Sequence, residues 1–244
     1  MKIDIWSDIV CPFCYLGKRR LEAAVAQFEH ADELEIQWHS FELDRGAEAV
    51  SDVPLVDLVA AKYGTSREQA VAQHESMAAA ATELGLEFNW QGARYGNTFD
   101  AHRVVHLAAD RGLADAAHER LMRAYFTEGL AVGDRETLVG LATDIGLEAE
   151  VVRGMLDSDD YGNHVRSDEA TAKMLGIESV PFFVLDRKYG VSGAQPVEVF
   201  TQALETAWST RHEVPEPVAA AGGGCGGGCG GGCGAGGCGG VCGA

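Results

Sequence analysis

The sequence predicts an α/β fold in which a βαβ unit and a closing ββα unit are separated by an all-helical block. Three observations predict it. Period-two alternation over residues 2–7 and 34–41 brackets a stretch of helical periodicity. From about residue 54 to 175 the pattern is helical almost throughout. Residues 180–185 and 189–192 then return to strand character, and residues 197–208 are helical again.

Ile3 and Ile5 place the apolar side of the first strand, and Ile36, Trp38 and Ser40 that of the second. Between them Leu16, Leu21, Val25 and Phe28 recur on one helical face, with Lys18, Arg19, Arg20 and Glu22 largely elsewhere. In the block, Ser66 and Gln69 form a capping box ahead of an Ala-rich run to Leu84, with Gly85 as its stop. Further helices are expected over 100–109, 116–126, 135–145, 148–156 and 165–175. Asp134 is placed to cap the third of these and Gly146 to end it.

The chain has 244 residues, 46% of them hydrophobic, enough for a sizeable core. No apolar run approaches the roughly 20 residues of a membrane span. With 37 acidic against 19 basic residues the net charge is −18, which repels phosphate backbones and anionic lipid surfaces. Neither nucleic acid nor membrane is therefore an expected partner.

Of 7 cysteines, Cys11 and Cys14 stand near the N-terminus, while Cys225, Cys229, Cys233, Cys238 and Cys242 lie in the last 20 residues. A disulfide-stapled secreted domain would spread its cysteines through the fold. The opening MKIDIWSDIVCPF has Asp4 and Asp8 where a signal peptide would be continuously apolar, so a cytoplasmic location is expected. Residues 222–244 comprise 15 Gly, 5 Cys, 2 Ala and 1 Val. Such a composition predicts a flexible tail over 213–244, with Pro215 and Pro217 at its start. Its five thiols are candidates for a redox relay, since 23 residues reach roughly 25 Å, or for a soft metal, against a plain low-complexity extension.

Cys11-Pro12-Phe13-Cys14 falls at the junction of the first strand and first helix. With Cys11 as N-cap, Pro12 occupies the first helical position, where its missing N–H costs nothing, and the helix dipole favours thiolate over thiol. Cys11 is expected to be the exposed, acidified nucleophile and Cys14 the shielded resolving thiol. Such a pair can also supply half a zinc site, but the body offers only dispersed histidines to complete one, so no metal is assigned. A proline opens the strand of Val180-Pro181-Phe182-Phe183-Val184. A cis Val180-Pro181 bond would leave the Val180 backbone free to pair with an extended substrate beside Cys11.

The stretches SDIVCPFCYLGKRRLE, QWHSFELD, YGNTFDAHRVVHLA and SVPFFV, within a similarity spanning residues 1 to about 210, resemble the DsbA family of thiol-disulfide oxidoreductases, more closely its FrnE-like cytosolic subgroup. The resemblance implies a thioredoxin fold made of residues 1–50 and 176–212, with 51–175 as a helical insertion. It also implies Cys11 as nucleophile, Cys14 as resolving cysteine and Pro181 as the cis-proline facing them. The expected activity is thiol-disulfide exchange or dithiol-disulfide isomerisation on disulfide-containing proteins or small thiols and disulfides, with no bound cofactor and glutathione as a possible reductant. The family's periplasmic oxidants carry histidine where this chain has Phe13, so a less oxidising couple is expected.

The kappa-class glutathione transferases and 2-hydroxychromene-2-carboxylate isomerases resemble the chain in layout but have serine in place of Cys11. They supply the alternative, a glutathione-dependent isomerase or transferase; a metal-binding or redox-sensing module acting through the tail is a third. Val180, Phe13, Asn97, Thr98 and His102 are the expected substrate contacts. Phe13 with Tyr15 and Phe182 would form an apolar rim; Asn97 or Thr98 could instead cap a helix. His39 is expected to be a half-exposed strand histidine, and His102 and His106 stand four apart without further ligands around them.

Overall fold

The computed structural model describes residues 1–211. Its first strand, β1 (Lys2–Ser7), runs into helix α1 (Pro12–Val25) and then, after a short 3-10 turn, into β2 (Glu35–Ser40). Helices α2 (Leu55–Tyr63), α3 (Arg67–Glu83), α4 (Phe99–Ala109), α5 (Ala114–Phe126), α6 (Arg135–Asp144), α7 (Ala149–Asp157) and α8 (Gly162–Met174) follow. β3 (Phe182–Leu185), β4 (Tyr189–Ser192) and α9 (Val197–Ser209) close the described fold.

The sheet order is β2-β1-β3-β4. β1 and β2 are parallel, as a helical crossover requires, whereas β3 pairs antiparallel with both β1 and β4. Direct partners share a face. Ile3 and Ile5 therefore line up with Leu185 and Phe183, and Phe183 meets the Phe200 ring of α9 edge-on at 4.8 Å. Asp4 and Trp6 point to the other face, where Trp6 stacks on its β2 neighbour His39 at 4.4 Å. The buried core is continuous from the sheet into the inserted helices.

Local chemistry sets the helix ends. The Ser66 hydroxyl accepts the Gln69 N–H at 3.2 Å and the Gln69 side chain accepts the Ser66 N–H at 3.0 Å, the reciprocal box read from sequence. Asp134 accepts the Thr137 N–H at 2.8 Å, and Gly146, at φ +93°, follows the end of α6. Two expectations are corrected. Ile36 is exposed, because β2 is the edge strand and packing reaches only its C-terminal half. Lys18 is buried, because its spacing from Cys14 and Leu21 puts it on the inward stripe of α1.

Candidate active site

β1 ends at Ser7, and a three-residue turn delivers Cys11 to the head of α1. Cys11 is the N-cap, with extended backbone at φ −88° and ψ 113°, and Pro12 begins the helix. The N–H groups of Cys14 and Tyr15 bond to the Cys11 carbonyl at 3.0 and 3.3 Å, so the first helical turn closes around the motif. Both cysteines are free thiols.

The turn before β3 meets this helix end. Val180-Pro181 is a cis peptide bond, and the Cys11 thiol donates to the Val180 carbonyl at 3.6 Å. The Pro181 carbonyl is held by the Gly193 N–H at 2.8 Å, which ties the turn to the end of β4. Contrary to the sequence expectation, Cys11 is only 4% exposed: the Val180 segment, far away in sequence, covers it. Phe13 is the outward member of the motif, at 52% exposure. Tyr15 is not part of a rim with it. It lies in the core, stacked on Phe88 and tilted against Phe126, with its hydroxyl donating to Glu119 at 2.7 Å.

Cys14 is fully enclosed. Burial, together with the neighbouring Cys11 sulfur, pushes its thiol well above the ordinary cysteine range, against the partial relief of the Ser7 hydroxyl and the Asp8 N–H. The Asp8 carboxylate is also inside, accepting the Leu43 N–H at 2.8 Å and facing His102 Nε2 at 3.3 Å.

That pairing corrects the placement of the predicted substrate contacts on α4. His102 is 2% exposed and Thr98 is buried as well, so neither presents a surface to substrate. Thr98 is the N-cap residue but makes no side-chain cap bond, and it is the Asn97 side chain that accepts the Phe99 N–H, at 2.9 Å. Asn97 also donates to Glu42 at 3.4 Å and to the Arg45 carbonyl at 3.3 Å, which joins the start of α4 to the segment after β2. The structure thus brings Cys11, Cys14, Phe13, Val180 and Pro181 together, leaves Thr98 and His102 in the supporting interior, and places the partly exposed Asn97 at the start of α4. Cys225, Cys229, Cys233, Cys238 and Cys242 lie outside the described residues.

Two polar clusters were not apparent from sequence. On the α1–α5 side, Lys18 bonds Glu22 and lies 3.2 Å from Asp115 and 3.3 Å from Glu119, while Arg19 bonds Glu22 at 2.7 Å and Glu119. Burial opposes the Lys18 charge, but these carboxylates more than offset it and raise its pKa. The spacing Cys14, Lys18, Leu21 was the available signal.

On the opposite face of the sheet, His39 lies between two carboxylates, its Nδ1 2.8 Å from Asp168 and its Nε2 2.7 Å from Asp4. It is largely enclosed rather than half-exposed. Burial opposes its protonation, yet the two carboxylates raise its pKa. Burial likewise opposes ionisation of Asp168, but bonds from His106, His39 and the Ser40 N–H hold its carboxyl well below the usual range. No spacing within the chain announces this cluster, because its members come from β1, β2, α4 and α8.

The model of the DSBA-like thioredoxin domain matches residues 2–205. A probable DsbA oxidoreductase from Streptomyces coelicolor is 47% identical, with a TM-score of 0.84 over 90% of this chain and 94% of that one. The cytosolic disulfide reductase DsbM from Pseudomonas aeruginosa is similar at 20% identity and TM-score 0.61, over 86% of this chain and 99% of that one. A 2-hydroxychromene-2-carboxylate isomerase is similar at 17% identity and TM-score 0.65, over 86% and 97%. At the last two identities the likeness is one of fold alone.

Proposed function

The chain belongs to the family of DSBA-like thioredoxin domains, and from that premise we propose that it is a cytosolic thiol-disulfide oxidoreductase and dithiol-disulfide isomerase working through Cys11 and Cys14. The observation that carries this reading is the pair of free thiols on the first turn of α1, with the outer sulfur against the Val180 carbonyl.

The Cys11 thiolate attacks one sulfur of a substrate disulfide. That S–S bond breaks, a Cys11–substrate disulfide forms, and the departing sulfur takes up a proton. Cys14 then gives up its proton and attacks the Cys11 sulfur, releasing the second substrate thiol. The substrate has gained two electrons and the enzyme holds a Cys11–Cys14 disulfide, which a thiol donor such as glutathione reduces. Attack by a second substrate thiol on the mixed disulfide gives isomerisation instead. The high pKa of the Cys14 thiol suits this order, since it keeps Cys14 protonated until the mixed disulfide has formed.

Val180 offers its backbone to the extended substrate chain, Pro181 shapes that edge, and Phe13 supplies an apolar contact. Partners are disulfide-containing proteins and small thiols or disulfides. No helix among the described residues is long and apolar enough to cross a membrane. The presence of both cysteines favours disulfide exchange over the glutathione-dependent isomerase reading.

Insulin reduction tests the proposal. Cys11→Ser should abolish it, and Cys14→Ser should accumulate mixed disulfides visible on non-reducing gels. Undiminished reduction by Cys11→Ser overturns the assignment, and glutathione-saturable turnover that survives loss of Cys14 points to the isomerase branch.

A further inference from the structure

Asp168 joins α8 to three other elements. Its Oδ2 accepts the Ser40 N–H at 2.8 Å and faces His106 Nε2 on α4 at 3.1 Å; its Oδ1 faces His39 Nδ1 at 2.8 Å. Its carbonyl accepts the Trp6 indole N–H at 3.1 Å. The adjacent Glu169 accepts the Glu42 N–H at 3.3 Å and bonds Arg45 at 2.9 Å. These bonds fix the middle of α8 against the end of β2. None of the groups touches a sulfur.

The C-terminal end of α8 leads to the active site. After Met174 the chain reverses at Gly176, φ +71°, and the Ile177 N–H returns to the Ala172 carbonyl at 2.8 Å. Ile177 is buried, and three residues later Val180 lies against the Cys11 thiol. The seat of α8 on the sheet therefore sets one end of the segment that presents Val180. The other end is set by β3 and by the Gly193 bond to Pro181.

We infer that Asp168 and His39 are positioning residues for Val180, holding α8 in the register that presents the Val180 backbone to an extended substrate. This rests on the disulfide-exchange reading above. A protonated His39 donates from both ring nitrogens, one to each carboxylate. A neutral one must turn a lone pair toward Asp4 or Asp168, and one attraction is replaced by repulsion. The other groups facing this site are Lys2, bonded to Asp4 at 2.8 Å on β1, His106 on α4, and His164 on α8, whose ring is 5.6 Å from that of His106. Substrates that need backbone pairing with Val180 should thus be handled better below the titration of His39 than above it. Small disulfides that need none should be indifferent.

The test compares the initial oxidation of the reduced protein by a neutral, blocked cystine peptide and by hydroxyethyl disulfide. The ratio of the two rates cancels the ionisation of Cys11. In the wild type it should fall at least about fivefold between about pH 6 and about pH 9. In His39→Gln it should stay flat within about twofold, and in Asp168→Asn it should remain at the low value throughout. A wild-type ratio that does not change with pH, or a fall that persists in His39→Gln, overturns the inference. A flat wild-type profile overturns the inference even where a variant fails to fold, and His39→Asn takes the place of His39→Gln if the latter does not fold. A wild type that reacts with neither disulfide overturns the disulfide-exchange reading itself.

Discussion

Gly17 of α1 abuts Pro181 so closely that a Cβ added there would stand 3.0 Å from the proline Cγ and 3.1 Å from the Phe183 ring. The helix that carries the two cysteines and the turn that covers them therefore meet over a residue with no side chain. Gly17→Ala should pry them apart. In a helix interior alanine is favoured over glycine by about 1 kcal/mol. Overpacking a tight contact costs about 1–3 kcal/mol, so the net loss of stability should be small, near 1 kcal/mol. The larger effect should be on insulin reduction, with a drop of about tenfold as Val180 moves off Cys11. Denaturant titration and the activity assay on one preparation would separate the two effects.

Phe13 is half exposed and its side chain carries no hydrogen-bond donor, so that side chain cannot bond to a thiolate on Cys11. The couple should accordingly be less oxidising than the about −120 mV of the strongest periplasmic oxidants. Phe13→His would add one charge-assisted hydrogen bond, worth about 1.5 kcal/mol, to the reduced form. For a two-electron couple that is a rise of about 30 mV. Equilibration against a glutathione redox buffer would measure it, and a wild-type value already near −120 mV would contradict the argument.

The cluster around His39 also gives a signed dependence of stability on pH. Asp168 has a depressed pKa, so its contribution is complete above the unfolded carboxylate value of about 4 and is lost as pH falls through the folded value. His39 has a raised pKa, so its contribution is complete below the unfolded value of about 6.5 and is lost as pH rises through the folded value. Both act fully only in the mildly acidic window between about pH 4 and about pH 6.5. Because burial keeps His118 neutral in the fold, it works against stability below about pH 6.5. Urea midpoints should therefore peak at the upper edge of that window, and His39→Gln should flatten the alkaline side while leaving the acid limb in place.

What was legible in the sequence was what local chemistry dictates. Cys11 as N-cap with Pro12 behind it, the Ser66–Gln69 box and the Asp134 cap all depend on residues a few positions apart. Pro181 could be read because a proline at a strand start conflicts with its own backbone needs. The cover over Cys11 was not legible, since Val180 is 169 residues away in the chain. Nor was the interior place of His102, whose partner Asp8 is 94 residues distant, or the seat of His39 between Asp4 and Asp168. Composition marks such residues as polar, and only tertiary contact decides that they are buried and paired.

His118 on α5 stacks on Trp38 at 4.0 Å, is wholly buried, and has no protein partner on either ring nitrogen. Burial, with His102 and Lys18 nearby, holds its pKa well below the usual value, so the ring stays neutral. A buried polar group without a protein partner costs about 1–3 kcal/mol. His118→Phe would keep the stack, remove both nitrogens and add little volume. After part of the gain is lost to the larger ring, stability should rise by about 1 kcal/mol, with insulin reduction unchanged because His118 touches neither cysteine nor Val180. Denaturant midpoints at neutral pH check this. A loss above about 2 kcal/mol would mean that the imidazole is bonded to an internal water that phenylalanine cannot hold.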